Sequence, residues 1–127
     1  MSKIIYTSYA PEAIGPYSQA VVAGGLVFTS GQIPINPATG AIEAEGIRAQ
    51  TMQVCENLKA VLEAAGSSLE KAVKTSCFLS DMGNFGEFNE VYAGYFTGKP
   101  ARSCVAAKTL PRNVLVEIEV IAEVSNA

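Results

Sequence analysis

A chain of 127 residues, 49% apolar and 17% charged, is long enough to bury one core and too apolar to be disordered. A net charge of −3 with no basic stripe argues against a nucleic-acid partner, and apolar runs of only a few residues exclude a membrane-spanning helix, which needs ~20. Histidine is absent altogether, so any catalysis falls to carboxylate, Arg, Tyr, backbone groups or bound water, with no metal or cofactor site implied.

A single domain over residues 1–127 is expected. The charged share lies below the ~25% usual for a soluble protein, which leaves apolar surface to cover and favours an oligomer. Three cysteines, Cys55, Cys77 and Cys104, make an odd count without Cys-x-x-Cys spacing or a secretory segment, and a reducing cytoplasm is the expected compartment.

In chain order, the apolar runs Ala20–Ala23 and Leu26–Phe28 flank Gly24-Gly25, a hairpin signal. Residues 31–46, with Pro34, Pro37 and Gly40, read as an extended loop. Ile47, Val54, Leu58, Val61, Leu62 and Ala65 fall on one face of a helix that Gly66 stops. A half-buried strand follows at Val73–Leu79, with Val73, Thr75, Cys77 and Leu79 on one face. Asn84 and Glu87 form a capping pair for a second helix, on which Phe85, Phe88, Tyr92, Tyr95 and Phe96 make an aromatic stripe read as core. Gly98 and Pro100 end it, and a strand at Arg102–Ala107, a turn at Leu110–Asn113 and a closing strand at Val114–Val124 complete the chain. The fold class is α+β, β-β-α-β-α-β, a mixed sheet with two helices on one face. The other face also carries Leu115 and Ile121, and subunit association is the simplest cover for it.

Arg102 follows a proline-ended loop and begins an apolar strand. Position alone leaves two roles open, a structural ion pair with a nearby carboxylate or a bidentate anchor for an anionic ligand. Glu117, Glu119 and Glu123 share one strand face. If Leu110–Asn113 closes a simple hairpin, Arg102 pairs near Ile121 and Glu117 near Ala106, about four residues or roughly 13 Å apart. Direct contact within one hairpin is then not expected, although both residues could still border one small pocket, particularly if a neighbouring subunit supplies a wall. Tyr17 follows a Gly-Pro turn that can aim its ring into a cleft, and packing is an equal alternative. Ser30-Gly31-Gln32 ends a strand where glycine permits close approach to a ligand, or merely turns the chain. Asn89 borders the aromatic stripe, facing a ligand or water. Cys104 shares the Arg102 face without an activating histidine, so its thiol reads as packing and its carbonyl as the useful atom.

Together, Ile14-Gly15-Pro16-Tyr17-Ser18-Gln19-Ala20, Ser30-Gly31-Gln32-Ile33-Pro34, Asn89 with Tyr92, Pro100-Ala101-Arg102-Ser103-Cys104-Val105 and Val116-Glu117-Ile118-Glu119 resemble the Rid, or YjgF-like, family of reactive-intermediate deaminases over nearly the whole chain. The resemblance implies a chorismate-mutase-like homotrimer with sites between subunits and the imine deaminase subgroup, whose defining arginine falls on Arg102. It implies hydrolysis of 2-iminopropanoate and 2-iminobutanoate to 2-oxo acids and ammonia. Arg102 and Gly31 would hold the carboxylate, Glu117 and the Cys104 carbonyl the water, and Tyr17, Asn89 and Ser30 the pocket. The alternative is a regulatory or chaperone-like trimer that binds 2-oxo acids without turnover. An endoribonuclease role fits the acidic balance least.

Overall fold

The structure, a computed structural model, describes residues 2–125. Six strands form one sheet in the order β1-β2-β3-β6-β4-β5. The strands are β1 Lys3–Ile5, β2 Ala20–Ala23, β3 Leu26–Thr29, β4 Ala72–Leu79, β5 Ala101–Ala106 and β6 Val116–Glu123, and the helices are α1 Gly46–Ala64 and α2 Phe85–Tyr95. All neighbours are antiparallel except β4 and β5, which α2 joins as a parallel crossover. The α+β class and the mixed sheet are as expected, whereas the element order is β-β-β-α-β-α-β-β.

Gly24 and Gly25 turn β2 into β3 at φ of 60° and 79°, the left-handed pair that a two-residue hairpin loop demands. The long loop after β3 is pinned in two places. Gln32 exchanges backbone hydrogen bonds with Ile118, its N–H reaching the Ile118 carbonyl at 2.9 Å and its carbonyl accepting from Ile118 at 3.2 Å. Asn57, a buried polar group on the apolar face of α1, donates to the carbonyls of Ile33 at 3.2 Å and Ile35 at 3.0 Å. Ile33 and Ile35 then pack with Leu110 and Val114 in a small cluster of their own. These contacts seat Gly31 beside β6.

The main core lies between the helices and one sheet face. Val54, Leu58, Val61 and Leu62 of α1 and Phe88 of α2 meet Leu79, Val116 and Ile118, all fully buried. Gly66, at φ of 81°, stops α1 where expected. On the opposite face Phe28, Phe78 and Ile121 stay partly exposed. No helix among the described residues is long and apolar enough to cross a membrane.

Three expectations need correction. The last two strands form no hairpin, because β6 inserts between β3 and β4 while β5 pairs with β4 alone. Arg102 therefore stands opposite Thr75 and Glu117 opposite Phe78. Val73 leaves the buried face, since the β4 and β6 register shifts between Ala72 and Lys74 and this bulge turns Ala72 inward in its place. The side chain of Asn84 makes no cap bond for α2; Asp81 caps the preceding short 3-10 turn instead, accepting from the Gly83 N–H at 2.6 Å.

Candidate functional site

Strand alternation decides which residues can meet. In the parallel β4–β5 pair, register partners share a face, so Arg102 and Cys104 lie with Thr75 and Cys77 on the helix side. Glu117, opposite Phe78, lies on the other side. With β4 between them and a three-residue offset, the two residues root roughly 14 Å apart on opposite faces. Within one chain, Arg102 and Glu117 do not meet.

Arg102 sits under α2. Its Nη1 donates to Asn89 Oδ1 at 2.7 Å, and its Cζ lies 4.8 Å from the ring centre of Tyr92, 5.4 Å from Phe85 and 6.0 Å from Phe88. The ion pairs among the described residues are those of Arg48 with Glu87 and Glu90, so the guanidinium of Arg102 has a neutral amide and aromatic faces for neighbours and no carboxylate. The structural ion pair left open by the sequence is therefore absent. Beside it opens a cleft of about 410 Å3 lined by Asn89, Tyr92, Phe96, Lys99, Pro100 and Arg102.

Cys104 follows on the same strand face. Burial pushes its thiol up and the nearby Arg102 charge pulls it down by less, so the sulfur is held protonated rather than activated. The Ala107 N–H bonds the Leu79 carbonyl at 2.9 Å. By alternation, the backbone groups of Cys104 and Arg102 then point away from β4, to the open edge of the sheet. The Cys104 carbonyl is thus available at the edge.

The second group of residues gathers on β6 and the loop after β3. Gly31 lies so close to Glu117 that an added Cβ would stand 2.2 Å from Oε2 and 2.9 Å from Cδ. Glu117 is half-buried, and its carboxyl is raised above the ordinary glutamate value, first by burial and then by Glu119 on the same face. Ser30 donates its hydroxyl to the Ser18 carbonyl at 2.5 Å, tying this corner to the Gly-Pro turn. Tyr17, half-exposed, accepts from the Ile14 N–H at 3.3 Å and shares a small crevice of about 30 Å3 with Gly31 and Gln32. Gln19 is buried and anchors the approach to that turn. Its side chain accepts from the Thr7 N–H at 2.7 Å and donates to the carbonyls of Thr7 at 3.0 Å and Pro11 at 2.8 Å.

The residues singled out in the sequence therefore fall into two sets, Arg102, Asn89 and Cys104 at the β5 edge, and Tyr17, Ser30, Gly31 and Glu117 beside β6. Sequence reasoning missed the part played by Phe85, Phe88 and Tyr92 around the guanidinium. Their helical spacing was visible, but their nearness to Arg102 depends on the crossover. No group of three or more His, Cys, Asp or Glu side chains converges as a metal site among the described residues.

Sheet order, with both helices against one face, defines the class: an α+β protein with the L-PSP/YjgF fold. The chain belongs to the endoribonuclease L-PSP family, to which the Rid proteins belong, and the family profile matches residues 7–124. The 2-iminobutanoate/2-iminopropanoate deaminase of Salmonella typhimurium is 50% identical over 126 residues, spanning 96% of this chain and 98% of the relative. The Rid-family protein YyfA of Yersinia pestis matches with a TM-score of 0.94 at 49% identity, covering 98% of this chain and 100% of that one. Escherichia coli TdcF, solved with bound serine, matches with a TM-score of 0.91 at 46% identity, covering 97% and 99%.

Proposed function

We propose that this protein hydrolyses 2-imino acids, 2-iminopropanoate and 2-iminobutanoate among them, to 2-oxo acids and ammonia. The observation that carries this reading is Arg102: a guanidinium held by Asn89 and aromatic faces, with no carboxylate of its own, is prepared for a carboxylate from outside. The serine bound by TdcF carries an α-carboxylate of that kind, and the Salmonella relative is named for this reaction.

The chemistry needs no histidine. A protonated imine is already electrophilic, so water adds to its carbon, the adduct loses ammonia, and the 2-oxo acid remains. Arg102, with the Gly31 N–H, holds the carboxylate. Glu117 takes the proton from the attacking water and passes it toward the leaving nitrogen, and the Cys104 carbonyl helps to place that water. Burial favours such a role, because a raised carboxyl is a stronger base than an exposed one. Tyr17, Ser30 and Asn89 shape the walls.

Because Arg102 and Glu117 lie on opposite faces of one chain, the reading requires a second copy. A homotrimer brings the open β5 edge of one subunit against the Gly31 and Glu117 corner of the next and covers Phe28, Phe78 and Ile121. Free thiols on all three cysteines fit a reducing cytoplasm.

The test generates 2-iminobutanoate in situ and follows its loss against semicarbazide trapping. Wild-type protein is expected to divert the imine to 2-oxobutanoate and Arg102→Ala to leave it to the trap. Equal clearance by both sinks the proposal. Binding of 2-oxobutanoate without imine loss would favour a regulatory role for the same pocket.

A further inference from the structure

We infer that Tyr92, clamped by Thr75, is a positioning residue for Arg102, fixing the guanidinium before any ligand arrives. This rests on the reading of Arg102 as a carboxylate anchor and goes beyond it, since neither Tyr92 nor Thr75 needs to touch the substrate.

An arginine side chain carries substantial rotamer freedom, and a ligand that must freeze it loses affinity accordingly. In this fold that freedom is removed in advance by three elements converging on one point. Thr75 on β4 is the register partner of Arg102 on β5, so their side chains leave the sheet side by side on the same face. Tyr92 comes down from α2 and touches both. Its hydroxyl shares a 2.7 Å hydrogen bond with the Thr75 hydroxyl, and both residues are buried, Thr75 completely.

That bond sets the depth of the ring. Its tilt is set by Phe96, stacked at 4.5 Å between ring centres, and by Phe88 at 5.5 Å. With depth and tilt both determined, the Tyr92 ring presents its face to the Arg102 Cζ at 4.8 Å, the nearest of the three aromatic contacts. A cation over an aromatic face is held by the ring quadrupole, and the hold strengthens where water is excluded. Asn89 then fixes rotation in the guanidinium plane by accepting from Nη1 at 2.7 Å. One amide and one ring face thus occupy part of the fork, and its remaining N–H donors are aimed rather than free to wander.

A Thr–Tyr pair buried in the core is a costly way to fill space, since both hydroxyls must find partners away from water. Valine and phenylalanine would fill the same volume. What the hydroxyl pair adds is a defined position for the ring.

The test alters ring electrostatics with ring shape kept and only a modest gain in size. Tyr92→Phe is compared with a variant whose residue 92 carries a pentafluorophenyl ring, alongside Thr75→Val and Tyr92→Leu. Each is measured as the assembled protein by calorimetric titration with 2-oxobutanoate, by KM and kcat on 2-iminobutanoate, and by thermal unfolding. The pentafluorophenyl ring, whose face no longer attracts a cation, is expected to weaken 2-oxobutanoate binding roughly fivefold relative to Tyr92→Phe. KM should rise in the same ratio and kcat stay within about twofold, the mark of lost uniform binding. Thr75→Val should weaken binding by about twofold to threefold by freeing the ring. A structural role alone would lower the unfolding temperature of the variants and leave affinity per folded site unchanged. Equal affinity for the phenyl and pentafluorophenyl proteins overturns the inference, and so does an unaltered affinity in folded Tyr92→Leu. If wild type fails to bind 2-oxobutanoate, or Arg102→Ala binds it equally well, the anchor reading itself falls and takes this inference with it.

Discussion

Gly31→Ala separates the stability of the fold from the aim of its carboxylate. The Gly31 backbone lies outside the left-handed region, so alanine meets no conformational barrier there. What the new methyl meets is Glu117, with Oε2 at 2.2 Å, Cδ at 2.9 Å and Cγ at 3.1 Å. Ordinary contact begins at 3.4 Å, so the carboxylate must retreat by at least about 1.2 Å. The obstructing group is the far end of a flexible side chain. Moving it costs about 0.5–1.5 kcal/mol in rotamer strain. Losing a glycine from the unfolded chain returns about 0.4–1 kcal/mol. Net stability should therefore change by no more than about 1 kcal/mol, a few degrees in unfolding temperature. Catalysis should be hit far harder, because a misplacement of about 1 Å in a reacting group can cost about 100-fold in rate. Calorimetric unfolding and the semicarbazide-trapping assay, run on the same preparation, check both halves. A variant with kcat/KM within about threefold of wild type would refute the claim that Gly31 sets the position of a working Glu117.

The same carboxylate has a pH signature. Activity that needs Glu117 ionised should be present above its raised pKa and fall as pH drops through it, at a higher pH than an exposed glutamate would give. Stability runs oppositely. The folded state holds this proton more tightly than the unfolded state, so the contribution is fully present below the ordinary glutamate value and is lost as pH rises through the raised one. Glu117→Gln should abolish the acid limb of the rate profile and, in urea titrations at neutral pH, unfold later than wild type; an earlier midpoint would contradict the burial argument. Arg102→Lys should weaken 2-oxobutanoate binding by about 10-fold or more despite keeping the charge, because a point ammonium replaces a planar fork; calorimetric titration reads this directly. Cys104→Ser should keep imine loss near wild type, since the proposed contact is the main-chain carbonyl, and a collapse in rate would return the sulfur to consideration. Gly98→Ala should destabilise by about 1–3 kcal/mol, because the added Cβ would stand 2.8 Å from the Glu70 carbonyl oxygen, a backbone atom that cannot swing aside; urea unfolding gives the value.

Features written in local pattern were legible from the sequence. The glycine pair between two apolar runs specifies the β2–β3 turn, Gly66 marks the stop of α1, and of the five-residue aromatic stripe Phe88, Tyr92 and Phe96 are buried in the core while Phe85 and Tyr95 pack against it partly exposed. Pairing between distant strands was not legible. A two-strand hairpin and an insertion of β6 between β3 and β4 demand the same alternation from Val116 to Glu123, and only the competition of β4 for β6 decides between them. The strand Lys3–Ile5 is too short for its pattern to stand out. The site shows the same division. Tyr17, Gly31, Arg102 and Glu117 attract notice by chemistry and turn context, whereas Thr75 is an ordinary threonine in a half-buried strand until its partner on α2 is known. The bulge at Val73 escaped notice because period-two counting assumes an uninterrupted ladder.

The sixth strand in chain order holds the middle of the sheet. β1, β2 and β3 form one antiparallel group and β4 and β5 another, and β6 alone bridges them. Until residues 116–123 join the sheet, neither group has its neighbour, and both the short β3 and the eight-residue β4 present an unpaired edge. The pairings of β6 with β3 are the longest-range in the sheet, and loop-closure entropy makes such pairings slow to form. The waiting fragments are the species most open to mispairing, and a nick or truncation before Val116 would leave two partial sheets with no seam to join them.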